Sequence, residues 1–435
     1  MITINKKIKD ILNRDSKVML RTTREKYPFI PASGGGSHVY DVAGNKFLDF
    51  SSFISVYNLG VNANIHVRNA VKKQVDILMH PAFTDFYSEL PVEYAEKLVK
   101  MFPQGFGRVF FSNSGTEANE DAIKLAKLFT DRKYLISFYN AFHGRTMGAL
   151  ALTSSKTVQH AKYGPFSGVV HTQYPDCYRS PLEEDCWGAC IDNIKDNILG
   201  RELPPDEVAA VFIEPIQGEG GYIVPPIEFM KQLRKLTKQH GILLVDDEIQ
   251  AGFMRTGEFL AMDNFGIEAD IYTMAKSVGG GLPIGVTVSR KSLGDVPAGA
   301  HANTFGGNLL AIAAANASLD YVKKNMHELK KGVKDKGKYV MKRLNEMKEK
   351  YEIIGDVRGI GLMIGVEFVK DRKTKEYAAK ERDEIIENCF YNGLVLLPAG
   401  ISTIRIIPQL EISMHDLDHG LNILENAIKQ QKIYK

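Results

Sequence analysis

The sequence has few cysteines, little excess charge and no long apolar run. Four cysteines in 435 residues are too few for a disulfide scaffold, so we expect a cytoplasmic protein with reduced thiols. Lys plus Arg number 55 and Asp plus Glu 52, and the net charge of +3 argues against a nucleic-acid partner. The longest apolar runs, such as 208–213, are much shorter than the roughly 20 residues of a membrane-spanning helix. The charged N-terminal segment 1–17 is unlike a secretory signal, and no membrane partner is expected.

Enough apolar material is present to bury a large core. Hydrophobic residues make up 44% of the chain and charged residues 25%, both ordinary values for a globular protein. From about residue 90 to residue 325, strand-like runs, glycine turns and helical patterns alternate. The runs 208–216 and 241–249 are almost continuously apolar, as expected of strands buried on both faces of a parallel sheet. The sequence therefore predicts an α/β fold that binds ligands at the carboxyl ends of its strands.

The two ends of the chain have a different pattern. The segment 38–50 predicts a hairpin of two strands, and 327–350 predicts a long Lys-rich amphipathic helix. Strand-like runs at 364–368, 393–397 and 403–407 follow, with a helix near 382–392 and another at the end. We predict an N-terminal segment (1–60) that joins the small domain, a large domain (61–325) and a C-terminal small α+β domain (326–435).

Three isolated features are candidates for chemistry, and each has a plainer explanation. Ser114-Gly115-Thr116 lies between a strand and a helix, where backbone amides bind phosphate, although simple helix capping explains it as well. Asp247 ends a buried strand and is either functional or part of a structural ion pair, with Asp246 on the opposite side of the strand. Lys276 follows an apolar strand and precedes three glycines; a shielded lysine forms Schiff bases, but most lysines are surface residues.

Other polar residues are weaker candidates. His143 is most simply a packed or hydrogen-bonded residue. Arg145 and Arg405 are suited to bind carboxylates, with ordinary ion pairs as the alternative. Three cysteines and a histidine lie within 171–190, but they have no zinc-like spacing, so no metal site is expected.

Eight motifs in order give the sequence a specific resemblance. They are YDVAGNKFLDF, SNSGTEAN, FHGRT, EPIQGEGG, VDDEIQAGFMRTG, AKSVGGGLPIG, TFGGN and RIIPQL. Together they resemble the class III aminotransferases, a branch of the fold-type I enzymes that depend on pyridoxal phosphate. The resemblance implies a large domain with a mostly parallel seven-stranded sheet flanked by helices, and a small α+β domain. It also implies a homodimer, or a dimer of dimers, with shared active sites.

The resemblance assigns cofactor roles to individual residues. Lys276 is similar to the lysine that binds the cofactor and moves the proton, and Asp247 to the carboxylate that faces the pyridine nitrogen. Gln250 resembles a residue near the phenolic oxygen of the ring, and Thr304 one that reaches the phosphate of the other subunit. The remaining cofactor residues implied are Ser114, Gly115, Thr116, Phe142 and His143, with Phe142 stacked on the ring.

The resemblance also implies substrate residues. Arg145 is similar to an arginine that binds a distal carboxylate, and Arg405 to one that binds an α-carboxylate. Glu219 resembles a switch that pairs with Arg405 when no α-carboxylate is present, and Glu214 a supporting carboxylate. Ile54 stands at a position that is aliphatic in 4-aminobutyrate enzymes and tyrosine in ornithine enzymes.

We therefore expect an aminotransferase that moves the amino group of a 4-aminobutyrate-like ω-amino acid to 2-oxoglutarate. An amino-acid racemase or epimerase of the same family and an ornithine-type aminotransferase are the alternatives. The segment GVNAN (60–64) departs from the family pattern and weakens any choice of substrate. A cofactor-binding protein without catalysis is disfavoured because the residues predicted to be catalytic are present.

Overall fold

A seven-stranded sheet forms the centre of the computed structural model, which describes residues 2–20, 22, 27–62, 64–182 and 185–431. Five neighbouring strands are parallel, and Gly285–Arg290 is antiparallel to both of its neighbours. The order across the sheet is Phe106–Ser112, Gly285–Arg290, Ile271–Met274, Leu243–Asp247, Val208–Ile213, Tyr134–Phe138 and Val169–Thr172. The predicted α/β class and the mostly parallel sheet are confirmed.

The central strands are buried along their whole length. Every residue of Val208–Ile213, Leu243–Asp247 and Ile271–Met274 is buried, which explains their continuous apolar pattern. The helices of the described chain are Lys6–Val18, Ile65–Val75, Glu89–Val99, Gly115–Thr130, Met147–Leu152, Thr157–His160, Cys186–Asp192, Ile227–His240, Leu309–Lys324, Met326–Lys350, Ala379–Tyr391 and Met414–Lys429, with a π-helical stretch at Asn193–Glu202.

Two four-stranded sheets lie outside the central one. The first contains Pro31–Gly35, His38–Asp41, Lys46–Asp49 and Leu394–Val395, and the second Ile354–Ile360, Met363–Phe368, Thr403–Ile406 and Leu397–Ala399. The predicted hairpin pairs in parallel with a C-terminal strand through Leu48 and Leu394. The run 393–397, expected to be one strand, is instead divided between both sheets at Leu396. The division into domains stays a prediction.

The cysteines differ from expectation. Cys177 and Cys186 form a disulfide with their Cα atoms 5.4 Å apart, an ordinary separation for such a bond. The expectation of reduced thiols is wrong for this pair and holds for buried Cys190 and Cys389. Cysteine content therefore no longer supports a reducing compartment. Over the described ranges, no group of three metal-ligand side chains and no helix suited to crossing a membrane is found.

Candidate active site

Four of the predicted functional residues lie at the carboxyl edge of the central sheet. Asp247 ends one parallel strand, Glu214 follows the next strand, and Phe142 lies beyond Tyr134–Phe138. Lys276 comes two residues after Ile271–Met274. Because the carboxyl ends of parallel strands share one edge, side chains distant in sequence become neighbours there.

Asp247 is held by a buried hydrogen-bond network. Its Oδ2 accepts from Nδ2 of Asn119 at 2.8 Å and from Nδ1 of His143 at 2.7 Å, and its Oδ1 accepts from the amide of Ile249 at 3.1 Å. Burial by itself lowers the pKa of His143, but the hydrogen bond and charge of Asp247 outweigh it and raise that pKa. Asn119, His143 and the amide of Ile249 therefore fix the orientation of the Asp247 side chain.

Glu214 fixes the segment that carries Phe142. Its two carboxylate oxygens accept from the amides of Phe142 and Gly218, both at 2.9 Å. Burial raises the pKa of Glu214 to about 7, with His143 and the two amides opposing the rise. Glu214 is therefore a supporting group for the backbone around the site.

Lys276 has an unusual backbone and a shifted pKa. Its φ of +48° lies in the left-handed region, which non-glycine residues adopt rarely and often at functional sites. Burial lowers the pKa of Lys276, while the nearby Glu219 carboxylate raises it. A lowered pKa makes a lysine amine more nucleophilic at neutral pH.

The helix Gly115–Thr130 begins at the same edge of the sheet. Ser114 caps it through a hydrogen bond from the amide of Glu117 to Ser114 Oγ at 3.3 Å, as the plainer explanation expected. The first amides of a helix have no partner inside the helix and attract anions. The FHGRT segment packs closely on this start, because a Cβ at Gly144 would lie 2.1 Å from Thr116 Oγ1.

The buried Arg405 forms an ion pair with the half-buried Glu219. Arg405 Nη2 lies 2.6 Å from Glu219 Oε1 and 2.7 Å from the carbonyl oxygen of Pro398. On the other side, Lys156 Nζ lies 3.7 Å from Glu219 Oε2. Burial would raise the pKa of Glu219, but Arg405 and Lys156 lower it to about 2. Glu219 is thus a carboxylate between two cations.

Other predicted residues lie further out. The exposed Arg145 has its guanidinium 5.6 Å from the centre of the Phe142 ring. Gln250 Oε1 accepts from the hydroxyl of Tyr222 at 2.6 Å. Thr304 is exposed, and its carbonyl oxygen lies 2.7 Å from Nε2 of His80.

Sequence reasoning missed several residues of this site. Asn119, which donates to Asp247, lies within SNSGTEAN, so this motif was recognised although the role of Asn119 was not. Lys156 and Tyr222 had no sequence signal beyond proximity to a motif. In the departing segment GVNAN, Asn64 caps Ile65–Val75 by accepting from the amide of His66 at 3.1 Å, whereas position 63 lies outside the described residues.

The residues present fit pyridoxal phosphate. A lysine of lowered pKa suits its aldehyde, a hydrogen-bonded buried carboxylate suits its ring nitrogen, a helix start suits its phosphate, and Phe142 offers an aromatic face. The fold and this site define a fold-type I enzyme that depends on pyridoxal phosphate.

Comparisons with known proteins identify the branch. The profile of the family "Aminotransferase class-III" matches residues 20–428, so the chain belongs to this family. A leucine/methionine racemase of Thermococcus litoralis is 39% identical and covers 96% of this chain and 95% of its own. An acetylornithine aminotransferase of Clostridium acetobutylicum is 38% identical, and the match covers 95% of this chain and 100% of that protein. A probable 4-aminobutyrate aminotransferase of Bacillus subtilis is 35% identical, and the match covers 92% of this chain and 93% of that protein.

A solved structure agrees with the family assignment. The taurine:2-oxoglutarate aminotransferase of Bifidobacterium kashiwanohense, in complex with pyridoxal phosphate and glutamate, matches with a TM-score of 0.89. It is 30% identical, and the match covers 99% of this chain and 98% of that one. The expected cofactor, pyridoxal phosphate, is therefore confirmed, whereas the relatives differ in substrate and reaction.

Proposed function

We propose that this protein transfers the amino group of a 4-aminobutyrate-like ω-amino acid to 2-oxoglutarate. The observation that carries the proposal is the ion pair between Glu219 and Arg405. An ω-amino acid has no α-carboxylate, so Arg405 keeps Glu219 as its partner while this donor is bound. The keto acid brings an α-carboxylate, which replaces Glu219 on Arg405, so that a buried guanidinium has an anionic partner throughout.

We assign the chemistry of both half-reactions to Lys276 and Asp247. Bound pyridoxal phosphate supplies a sink for the electrons left when the amine-bearing carbon loses a proton. Lys276 would hold the cofactor through Nζ, and the same Nζ would accept the proton from the amine-bearing carbon and donate it again when the amino group is transferred. The carboxylate of Asp247 would face the ring nitrogen and keep it protonated, and His143 and Asn119 hold Asp247 in place through hydrogen bonds.

We propose the other cofactor contacts for residues near the same edge of the sheet. The amides of Gly115 and Thr116, with the hydroxyl groups of Ser114 and Thr116, would bind the phosphate at the helix start. Phe142, positioned by Glu214, would stack on the ring, and Gln250 would lie near the phenolic oxygen. On the substrate side, Arg145 would bind the distal carboxylate and Ile54 would line the pocket for an aliphatic chain.

We also propose a homodimer, or a dimer of dimers, with shared active sites, as the resemblance implies. Thr304 and Phe305 are exposed beside the segment 77–87, where Ile77, Phe86 and Tyr87 are exposed as well. His80 stacks on Phe305 at 5.0 Å and thus joins the two segments into one apolar surface. A surface of this kind marks an interface, and a second copy seated there would receive Thr304 at its phosphate.

The test is a panel of amino donors with 2-oxoglutarate or pyruvate as acceptor. The panel contains 4-aminobutyrate, ornithine, N-acetylornithine, glutamate and alanine. We expect 4-aminobutyrate-like donors to have the highest kcat/KM in the parent. Glu219→Ala should lower kcat/KM for these donors relative to α-amino acids, because the guanidinium of Arg405 then loses the Glu219 carboxylate during the first half-reaction. An unchanged ratio would mean that Glu219 has only a structural role.

Racemisation is the second candidate, and a specific observation favours it. The leucine/methionine racemase of Thermococcus litoralis has 39% identity over 424 residues. A racemase returns the proton to the substrate carbon and needs no keto acid. Incubation of L-leucine or L-methionine alone, followed by chiral chromatography, separates the two candidates. Continuous formation of the D-enantiomer without a keto acid would identify a racemase and contradict the transfer proposal.

A further inference from the structure

The turn Ser52–Ser55, which carries Ile54, has a disfavoured backbone. The φ angles of its four residues are 43°, 49°, 63° and 62°, all in the left-handed region, and none of the four is glycine. Side-chain clashes disfavour this conformation, most of all for a β-branched residue such as Ile54. A run of this kind persists only where surrounding contacts hold it.

The turn touches both parts of the proposed site. Its Cα atoms come within 8 Å of the segment Lys276–Gly279. On its other side, Ser52 Oγ donates to the carbonyl oxygen of Ile407 at 2.7 Å, two residues after Arg405. A shift of the turn would therefore move Ile54 relative to the reacting amine and to the α-carboxylate site.

Arg255 and Asn58 both contact the end of this turn through Ser55 Oγ. The side chain of Arg255 is fully buried, and its Nε donates to Ser55 Oγ at 3.0 Å. Its Nη2 donates to Oδ1 of Asn58, and its Nη1 donates to the carbonyl oxygens of Leu362 and Pro408. The planar guanidinium thus joins the turn to two other segments in one fixed geometry.

We propose that Arg255 is a positioning residue for substrate selection, which holds the left-handed turn so that Ile54 faces the substrate chain. The inference rests on the proposed placement of Ile54 in the substrate pocket, and it applies to amino transfer and to racemisation alike. Neither Arg255 nor Ser55 needs to touch the substrate or the cofactor for this role.

The first experiment uses holoenzyme with Arg255→Lys. Lysine keeps the charge but cannot reproduce the fork of hydrogen bonds. We expect KM for the best amino donor to rise about tenfold, which corresponds to about 1.4 kcal/mol. The advantage of this donor over a homologue one methylene shorter should fall. The absorption spectrum of the bound cofactor should stay as in the parent, and kcat should change much less than KM.

Two further variants decide the interpretation. Ser55→Ala removes the acceptor of Arg255 Nε together with the hydrogen bond that Ser55 Oγ donates to Asn58 Oδ1 at 3.2 Å, and it should also weaken the discrimination between the two donors. Arg234→Lys is the matched control, because Arg234 is also buried but lies away from the turn. Its two Nη atoms lie 2.6 and 2.7 Å from the carboxylate oxygens of Asp270. Arg234→Lys should lower Tm and leave the discrimination unchanged.

The proposal and the proposed function fail in different ways. Unchanged discrimination in Ser55→Ala overturns the role of Arg255, even where Arg255→Lys does not fold. Equal losses of discrimination in Arg234→Lys and Arg255→Lys would also overturn it, because they would reflect general destabilisation. A parent that racemises and does not transfer contradicts the proposed function alone, and the same KM comparison is then made on racemisation.

Discussion

Two adjacent carboxylates at the end of the central strand have opposite surroundings. Asp247 accepts hydrogen bonds from Asn119 and His143. Asp246 is fully buried beside Glu248 and Asp263, and burial together with the charge of Glu248 raises its pKa well above the usual value. Alternation along the strand directs the two side chains to opposite faces, so one residue has donors and its neighbour has other acids.

We predict that Asp247→Asn removes most activity and that Asp246→Asn does not. Losing the negative charge beside the ring nitrogen should raise the barrier to proton abstraction by several kcal/mol, with each factor of ten in rate worth about 1.4 kcal/mol. Asparagine is uncharged and has nearly the same shape as the neutral form of Asp246. The variant Asp246→Asn should therefore keep its activity and its Tm at neutral pH. Single-turnover rates and thermal melts measure both effects, and equal rate losses would contradict the distinction.

The ion pair of Glu219 predicts a pH-dependent stability. Because Arg405 and Lys156 lower the pKa of Glu219 to about 2, its contribution is fully present above about pH 4.5 and is lost as the pH falls towards 2. The shift corresponds to a contribution on the order of 3 kcal/mol. The free energy of unfolding of Glu219→Gln, measured with denaturant, should therefore approach that of the parent as the pH decreases. A control is Glu352→Gln, because Glu352 is exposed and an ion pair of an exposed carboxylate contributes little to stability.

At the scale of elements, the helix Met326–Lys350 contains two glycines with different surroundings. Gly337 is buried, and a Cβ there would lie 2.3 Å from the carbonyl oxygen of Gly361. At Gly332 a Cβ would meet only Lys336 Nζ, at 3.7 Å. The first glycine is thus required by the contact between the helix and the neighbouring strand connection, and the second is not.

We predict opposite effects of alanine at these two positions. Gly332→Ala should stabilise the protein by roughly 0.5–1 kcal/mol, because alanine loses less backbone entropy in a helix. Gly337→Ala should destabilise it, because the backbone of Gly361 must move. Urea unfolding of both variants measures the difference, and stabilisation by both would show that the close approach at Gly337 is not maintained in solution.

At the scale of the whole molecule, the proposed dimer predicts complementation between inactive variants. Lys276→Ala removes the lysine that binds the cofactor, and Thr304→Glu places a negative charge where the phosphate of the partner would lie. Each homodimer should be nearly inactive. In a mixed dimer, one site carries both changes and the other carries neither, so activity should return.

Unfolding and refolding the two variants together, then measuring activity and oligomeric state by light scattering, tests this. A monomer in the parent, or a mixed preparation with no gain over its components, would contradict shared active sites. A fully active Thr304→Glu homodimer would show that Thr304 does not reach a phosphate.

Much of the fold and part of the site followed from local sequence. Val208–Ile213 and Leu243–Asp247 were predictable because strands buried on both faces must be apolar along their length. Eight ordered motifs, two of which contain Lys276 and Asp247, indicated the family, which the comparisons confirm. The opposite placement of Asp246 and Asp247 also follows from the period of a strand, a property of neighbouring residues alone.

Only the tertiary structure decided which distant groups meet. Lys156 reaches Glu219, Arg255 reaches Ser55, and Cys177 bonds to Cys186, although no local pattern marks any of these pairs. The run 393–397 was expected to form one continuous strand because its residues are apolar. In the structure, Leu394–Val395 pairs within one four-stranded sheet and Leu397–Ala399 within the other. Local periodicity determines whether a segment forms a strand or a helix, whereas its partners depend on how the whole chain closes around the core.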